Sequence, residues 1–193
     1  MTNTLSTDRL TLRPWVVEDA PAALEVYGHP EVARWLSPAM DQVRDLATMR
    51  VLIQQWIAED ARHTAPAGRW AIELTADRTV VGGAVLLPLP PGDEDHEIGW
   101  HLTPAAMGNG YASETMFTLA SWAFDHDLNE VFAVVRPENT QTTAAVRQNG
   151  MQWVGETTKY FGLELQVFRL RQADLDRTAP STQRPPADSP VGA

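Results

Sequence analysis

The chain has 193 residues, enough for one well-buried domain, and its 15 Lys and Arg stand against 25 Asp and Glu, a formal net charge of -10. That balance argues against general affinity for DNA, RNA or an anionic membrane; any anion must be held by local groups, and a cationic amine partner is weakly favoured. With no cysteine present, disulfides, thiolate metal sites and a cysteine nucleophile are excluded.

The opening residues carry no basic region ahead of an apolar block, and no later stretch has the length of a membrane span, so a cytoplasmic protein is expected. Residues 8–15 alternate, with Leu10 and Leu12 on one face and Arg9, Thr11 and Arg13 on the other, a half-buried strand ended by Pro14. Residues 18–27 predict a short helix stopped by Gly28 and Pro30. Within 41–63, Val43, Leu46, Met49, Leu52, Ile53, Trp56 and Ile57 recur at three- and four-residue steps, which predicts one long amphipathic helix. Residues 69–75 and 79–88 form a hairpin pattern around Ala76, Asp77 and Arg78, followed by a loop rich in proline and acid at 89–95.

Residues 96–113, HEIGWHLTPAAMGNGYAS, then join a strand-like stretch and a proline to Gly108 and Gly110 at a helix start. Met116, Leu119, Ala120, Ala123 and Phe124 give that helix its apolar stripe. A buried strand at 130–136, a helix at 140–149 stopped by Gly150, and an antiparallel pair at 152–160 and 163–171 complete the ordered chain. The order is mixed α and β, with more hairpins than a repeating βαβ protein. A folded domain is expected over 1–173 and a disordered, Pro/Ser/Thr-rich tail over 174–193.

A strand delivering a glycine turn into a helix start builds an anion site, because the first helical amides lack partners within the helix. The side chains of Asn109 and Ser113 can add donors; the alternative is a turn whose glycines serve backbone geometry alone. A dinucleotide fingerprint does not fit: Ser113 stands at the third glycine and Arg136, not an acid, ends the next strand. His96, Glu97 and His101 do not make a zinc motif either, since the second histidine is one place late and a strand sends the two to opposite faces; no metal site is expected. In the second strand–helix unit, 134–151, Asn139 or Thr140 caps a helix that Asn149 and Gly150 end.

Taken together, four landmarks resemble the GNAT superfamily of N-acetyltransferases, in its RimJ/RimL-like branch. They are TDRLTLRPW with Glu18, Asp19 and Ala20; HPEVARWL at 29–36; the loop 107–114; and Asn139–Thr142 with Asn149, Gly150 and Met151. The resemblance runs from about residue 7 to 171. It departs at Met107, where Gln or Arg is common, at Thr142, where Ser is usual, and at Met151, where an aromatic is usual.

The resemblance implies an α+β fold: a mostly antiparallel, seven-stranded mixed sheet flanked by about four to five helices, splayed between its fourth and fifth strands, 96–103 and 130–136. Acetyl-CoA would lie in the gap as co-substrate, its pyrophosphate on the loop of Met107, Gly108, Asn109, Gly110, Tyr111, Ala112 and Ser113. Its pantetheine would pair with the backbone near Leu102 and Thr103, with Asn139 and Thr142 along the arm.

Transfer to an amine requires removal of a proton. Glu97, Gly99, His101 and Thr103 share one strand face, and similar enzymes use a carboxylate on this strand working through water, so Glu97 is the first candidate base and His101 the second. The alternative for Glu97 is a strand-edge carboxylate paired with an arginine. A strand amide near Leu102 would hold the oxyanion, and Thr142, or failing it Tyr160, would hydrogen-bond the departing sulfur; both also fit purely structural roles. Arg34 and Trp35, with Glu97, are the expected wall of the acceptor pocket. The acceptor would be a protein N-terminus or a small amine such as an aminoglycoside, polyamine or amino acid, and the protein a monomer or homodimer. The rival classes are a non-catalytic CoA-binding module and a nucleotide-dependent oxidoreductase.

Overall fold

The computed structural model describes residues 3–36, 40–90, 92, 94–160 and 162–175. The expected disordered tail lies, past residue 175, outside the described residues. Among these residues eight strands form a single sheet in the spatial order β1-β2-β3-β4-β5-β6-β8-β7. They are β1 (Leu5–Ser6), β2 (Leu10–Pro14), β3 (Gly68–Leu74), β4 (Val80–Pro88), β5 (His96–Leu102), β6 (Glu130–Val135), β7 (Gln152–Thr157) and β8 (Leu165–Arg171). The strand beyond the expected seven is β1, whose two residues pair with Leu12 and Thr11 and are too few for an alternation to register in sequence.

Among the described residues five α-helices cover the sheet: α1 (Ala20–Tyr27), α2 (Pro30–Leu36), α3 (Leu46–Asp60), α4 (Tyr111–Phe124) and α5 (Thr140–Gln148). Two differ from expectation. The periodic run beginning at 41 becomes helical only at Leu46, where Asp45 caps the amide of Thr48 at 2.8 Å. Val43 keeps the helical spacing because it is buried with α1, yet its amide donates to the carbonyl of Tyr27 at 3.2 Å. Pro30 stops α1 and also opens α2, where a missing amide hydrogen costs nothing.

Alternation along the strands divides the apolar residues between two cores. Trp70 and Ile72 of β3 join Leu10, Leu12, Ile98, Met116, Leu119 and Phe168 on the α4 side, while Ala71 between them faces Trp15, Val26, Met49, Ile53 and Trp56 on the α1–α3 side. Full burial of such side chains contributes roughly 1.5–3 kcal/mol each. The second core is stitched at its rim by Arg13, which bonds Asp19 at 2.7 and 2.8 Å and Glu73 at 2.7 Å, joining β2 to β3 and to the turn before α1.

The feature that matters most for the site is where the sheet parts. Seven register pairs join β4 to β5, from Gly82↔Leu102 to Pro88↔His96, but β5 meets β6 in parallel at one pair alone, Glu97↔Phe132. Beyond that pair the strands diverge, in the place where the sequence resemblance puts the splay. On the α1 face, Gly83 lies opposite His101, and a Cβ on Gly83 would sit 2.1 Å from the Tyr27 hydroxyl. The glycine therefore makes room for the Tyr27 hydroxyl, and the Tyr27 ring meets His101 in a T-shaped contact at 5.7 Å between ring centroids.

Candidate active site

The divergence of β5 and β6 opens a cavity of about 840 Å³. One end is closed by the turn into α4. Gly108 and Gly110 take φ of +78° and +81°, values in the left-handed region that favours glycine. Gly110 is the N-cap of α4, and no side chain caps that helix, whereas Asp45 caps α3 and Asn139 caps α5. The first amides of α4 are thus left for a ligand, and their residues Gly110, Tyr111, Ala112 and Ser113 line the cavity.

The strand wall works through side chains and one stretch of backbone. Thr103 donates its amide to Val81 at 2.9 Å, so antiparallel alternation commits Thr103 and His101 to β4 and turns the amides and carbonyls of Leu102 and Trp100 toward the gap. Of the two residues expected near a pantetheine arm, Leu102 therefore presents its backbone and Thr103 does not.

Glu97 and His101 lie on the α1–α2 face of β5, opposite Ile98 and Leu102, which belong to the α4-side core. Burial pushes the Glu97 carboxyl up to about 7 and His101 down to about 4. Both side chains remain half-buried because the cavity reaches them. Among the described residues Glu97 has no ion-pair partner, which removes the arginine pairing weighed as its alternative, and His101 Nδ1 is buried without a hydrogen-bond partner. A carboxyl raised to about 7 and, four residues along the same strand, a neutral imidazole are two separate groups in this cavity that can each accept a proton.

Thirteen of the residues singled out from sequence line this one cavity: Arg34, Trp35, Glu97, His101, Leu102, Met107, Gly108, Gly110, Tyr111, Ala112, Ser113, Asn139 and Thr142. Thr103, Asn109 and Tyr160 do not. The Asn109 amide turns back to the carbonyl of Ala106 at 3.1 Å and tightens its own turn instead of adding a donor to the cavity. Tyr160 is buried against Leu89 and Leu165, one layer behind the wall, which distances it from a departing sulfur. Asn139 uses Oδ1 to accept from the Thr142 amide at 3.1 Å, so the capping role holds and its amide nitrogen is the end left for a ligand. Ser113 Oγ accepts from Asn149 at 2.9 Å, linking the third and fourth landmarks directly. Arg34 lies over the Trp35 ring at 4.5 Å on α2, at the opposite end from α4.

The sequence did not single out Glu31, Trp100, Gln141 or Leu165, which also line the cavity, nor Arg136 as a lining group. Gln141 lies inside the Asn139–Thr142 motif, and its amide approaches Met107 Sδ at 3.6 Å, linking the start of α5 to the loop before α4. Among the described residues no group of three or more His, Asp or Glu is placed to hold a metal, and no helix is long and apolar enough to cross a membrane.

Residues 9–152 match the model of the acetyltransferase (GNAT) domain family. An uncharacterized N-acetyltransferase, p20, of Bacillus licheniformis is 29% identical over 158 residues, 81% of this chain and 86% of that protein. The solved structure of Mycobacterium smegmatis RimJ in complex with CoA-disulfide superposes with a TM-score of 0.69 at 22% identity, covering 90% of this chain and 89% of that one. RimL, a ribosomal L7/L12 α-N-protein acetyltransferase solved with coenzyme A, gives 0.72 at 17% identity, over 88% and 98%. The family match over most of the chain and the shared fold, with its parted sheet and uncapped helix, agree: the chain belongs to the GNAT family of acetyltransferases.

Proposed function

We propose that a single domain spanning 1–173 transfers an acetyl group from acetyl-CoA to a primary amine by direct attack in a ternary complex. The observation that carries this reading is the union, in one cavity, of an uncapped helix N-terminus and a half-buried carboxyl raised to about 7. The amides of Gly110–Ser113 would hold the pyrophosphate, the backbone of Leu102 the pantetheine arm, and the free end of Asn139 its amide groups. Acetyl-CoA supplies an activated thioester whose thiolate is a fair leaving group.

In its ionised form Glu97 takes the proton of the incoming ammonium, directly or through one water, and the neutral amine attacks the thioester carbonyl. A carbon–nitrogen bond forms, the Leu102 amide donates to the oxyanion, and the carbon–sulfur bond breaks as the intermediate collapses. As the intermediate collapses its cationic nitrogen gives up its second proton, and the departing thiolate takes that proton through the Thr142 hydroxyl or a water, leaving the amide and free CoA thiol. His101, neutral over the working range, is the second acceptor for the amine proton. Arg34, Trp35 and Glu97 line the acceptor end.

A protein N-terminus is the favoured acceptor, because RimL and RimJ share the fold and RimL acts on a ribosomal protein's α-amine; a small-molecule amine also suits the acidic protein. Such an enzyme works in the cytoplasm. The test is CoA release from acetyl-CoA against a panel of N-terminal peptides and small amines. Turnover on at least one amine, lost in Glu97→Gln, supports the enzyme. Tight acetyl-CoA binding with no turnover on any amine would leave a CoA-binding sensor in its place.

A further inference from the structure

Building on the reading that the α4 amides take the CoA pyrophosphate, we infer that Arg9 is the positioning residue of that loop. It acts in two ways, aiming a loop peptide and cancelling a buried charge next to the anion.

Arg9 sits just before β2, about a hundred residues upstream of the loop, yet its side chain ends there. Its Nη1 donates to the carbonyl of Asn109 at 2.9 Å, and its guanidinium lies over the Tyr111 ring at 4.9 Å. The Asn109 carbonyl belongs to the peptide whose amide is that of Gly110, the N-cap of α4. Left-handed glycines at 108 and 110 flank that peptide; the Asn109 side chain ties the turn before it to the Ala106 carbonyl, and Arg9 holds the Asn109 carbonyl itself. Because the peptide is planar and trans, holding its carbonyl on Arg9 points the Gly110 amide the opposite way. Gly110 lines the cavity.

The charge argument concerns Glu114. It stands in the first turn of α4 and is 3% exposed, a negative group at the end of the helix where phosphates would dock. Arg9 Nε and Nη2 reach its Oε2 at 2.7 and 2.6 Å, the Arg9 amide donates to its Oε1 at 3.1 Å, and the Thr7 hydroxyl also bonds Oε1. Left unpaired, that carboxylate would repel the ligand; paired, it becomes the strut that fixes Arg9 over the loop. Met107, at the start of the loop, brings no charge of its own to this task.

The test compares acetyl-CoA with acetyl-pantetheine, which carries the same thioester without the pyrophosphate. Arg9→Gln is expected to raise KM for acetyl-CoA by about tenfold or more, the scale of a lost charge-assisted bond, with kcat within about twofold and KM for acetyl-pantetheine unmoved. Arg9→Lys, which keeps the charge but not the fork that serves Glu114 and Asn109 together, is expected in between. Arg9→Gln combined with Glu114→Gln is expected to recover part of the loss, since no unpaired carboxylate remains. Equal rises in KM for both donors, or no rise in either Arg9 variant, overturn the proposal. Calorimetric binding of CoA and pantetheine reads the same contrast without turnover, so a protein that binds but does not catalyse fails the proposed function while still testing Arg9.

Discussion

The two walls of the cavity recognise by different means. At the α4 end the groups on offer are backbone amides in a turn set by two left-handed glycines, so the wall tolerates a methionine at its first position. Along β5 the proposed chemistry rests on Glu97 and His101, whose protonation is set by burial and not by a charged partner. A wall of amides is sensitive to backbone shape and indifferent to most side-chain identities. A wall of buried ionisable groups has the opposite sensitivity.

The contrast is broken most severely at Glu97. Glu97→Gln is expected to lower kcat/KM by about a hundredfold or more while leaving KM for acetyl-CoA unchanged. In the parent enzyme the pH–rate profile should rise through about 7 as Glu97 ionises, and that limb should vanish in the variant. A limb that persists in Glu97→Gln removes the carboxylate from its assigned role and passes the task to His101.

At the other wall, Gly110→Val forces a β-branched residue into a φ of +81°. Strain of this kind costs about 1–3 kcal/mol, so KM for acetyl-CoA should rise about tenfold with kcat held, the reverse of the Glu97 pattern. Steady-state kinetics at saturating amine separates the two.

The smallest effect sharpens the strand wall alone. Glu97 keeps its proton in the folded state up to about 7 against an ordinary value of 4.5, so the folded state holds more protons in that window and stability falls as pH rises through it. His101 has the opposite sign: its folded value is about 4 against 6.5, the unfolded state binds the extra proton, and stability is lost as pH falls through that window. Between about 4.5 and 6.5 the two nearly cancel. Urea unfolding across this range should be almost flat for the parent, rise with pH in Glu97→Gln and fall with pH in His101→Gln.

Much of the fold was legible because its signals are local. The hairpin of β3 and β4, the stripe on α4 and the closing pair β7 and β8 all follow from alternation or helical spacing within a short window. The start of α3 was misread for a reason of the same kind: Val43 keeps the helical phase, but its backbone is claimed by Tyr27, which spacing cannot reveal.

The site divides likewise. Gly108, Gly110, Glu97 and His101 were legible as residue types in a strand–turn–helix order, and they meet in one cavity. What stayed hidden depends on pairing at long range. The alternation that spends the Thr103 amide on Val81 needs the register of β4, and the reach of Arg9 to Glu114 crosses about a hundred residues. Asn109 illustrates the limit from the other side, since a donor beside an anion loop is also a donor beside the loop's own carbonyls.

The single rung shared by β5 and β6 also has a consequence for how the empty protein behaves among other chains. A sheet that ends early displays an unpaired edge, and such edges recruit foreign polypeptides when they lie at the rim of a molecule. Here the open edge is internal to the sheet, between β5 and β6, and lines a cavity to which the N-terminal residues of α4 and α5 also contribute. An extended molecule entering lengthwise between β5 and β6 meets that edge. The fold thus places its open strand edge inside the sheet, as a wall of the cavity, and not at the rim.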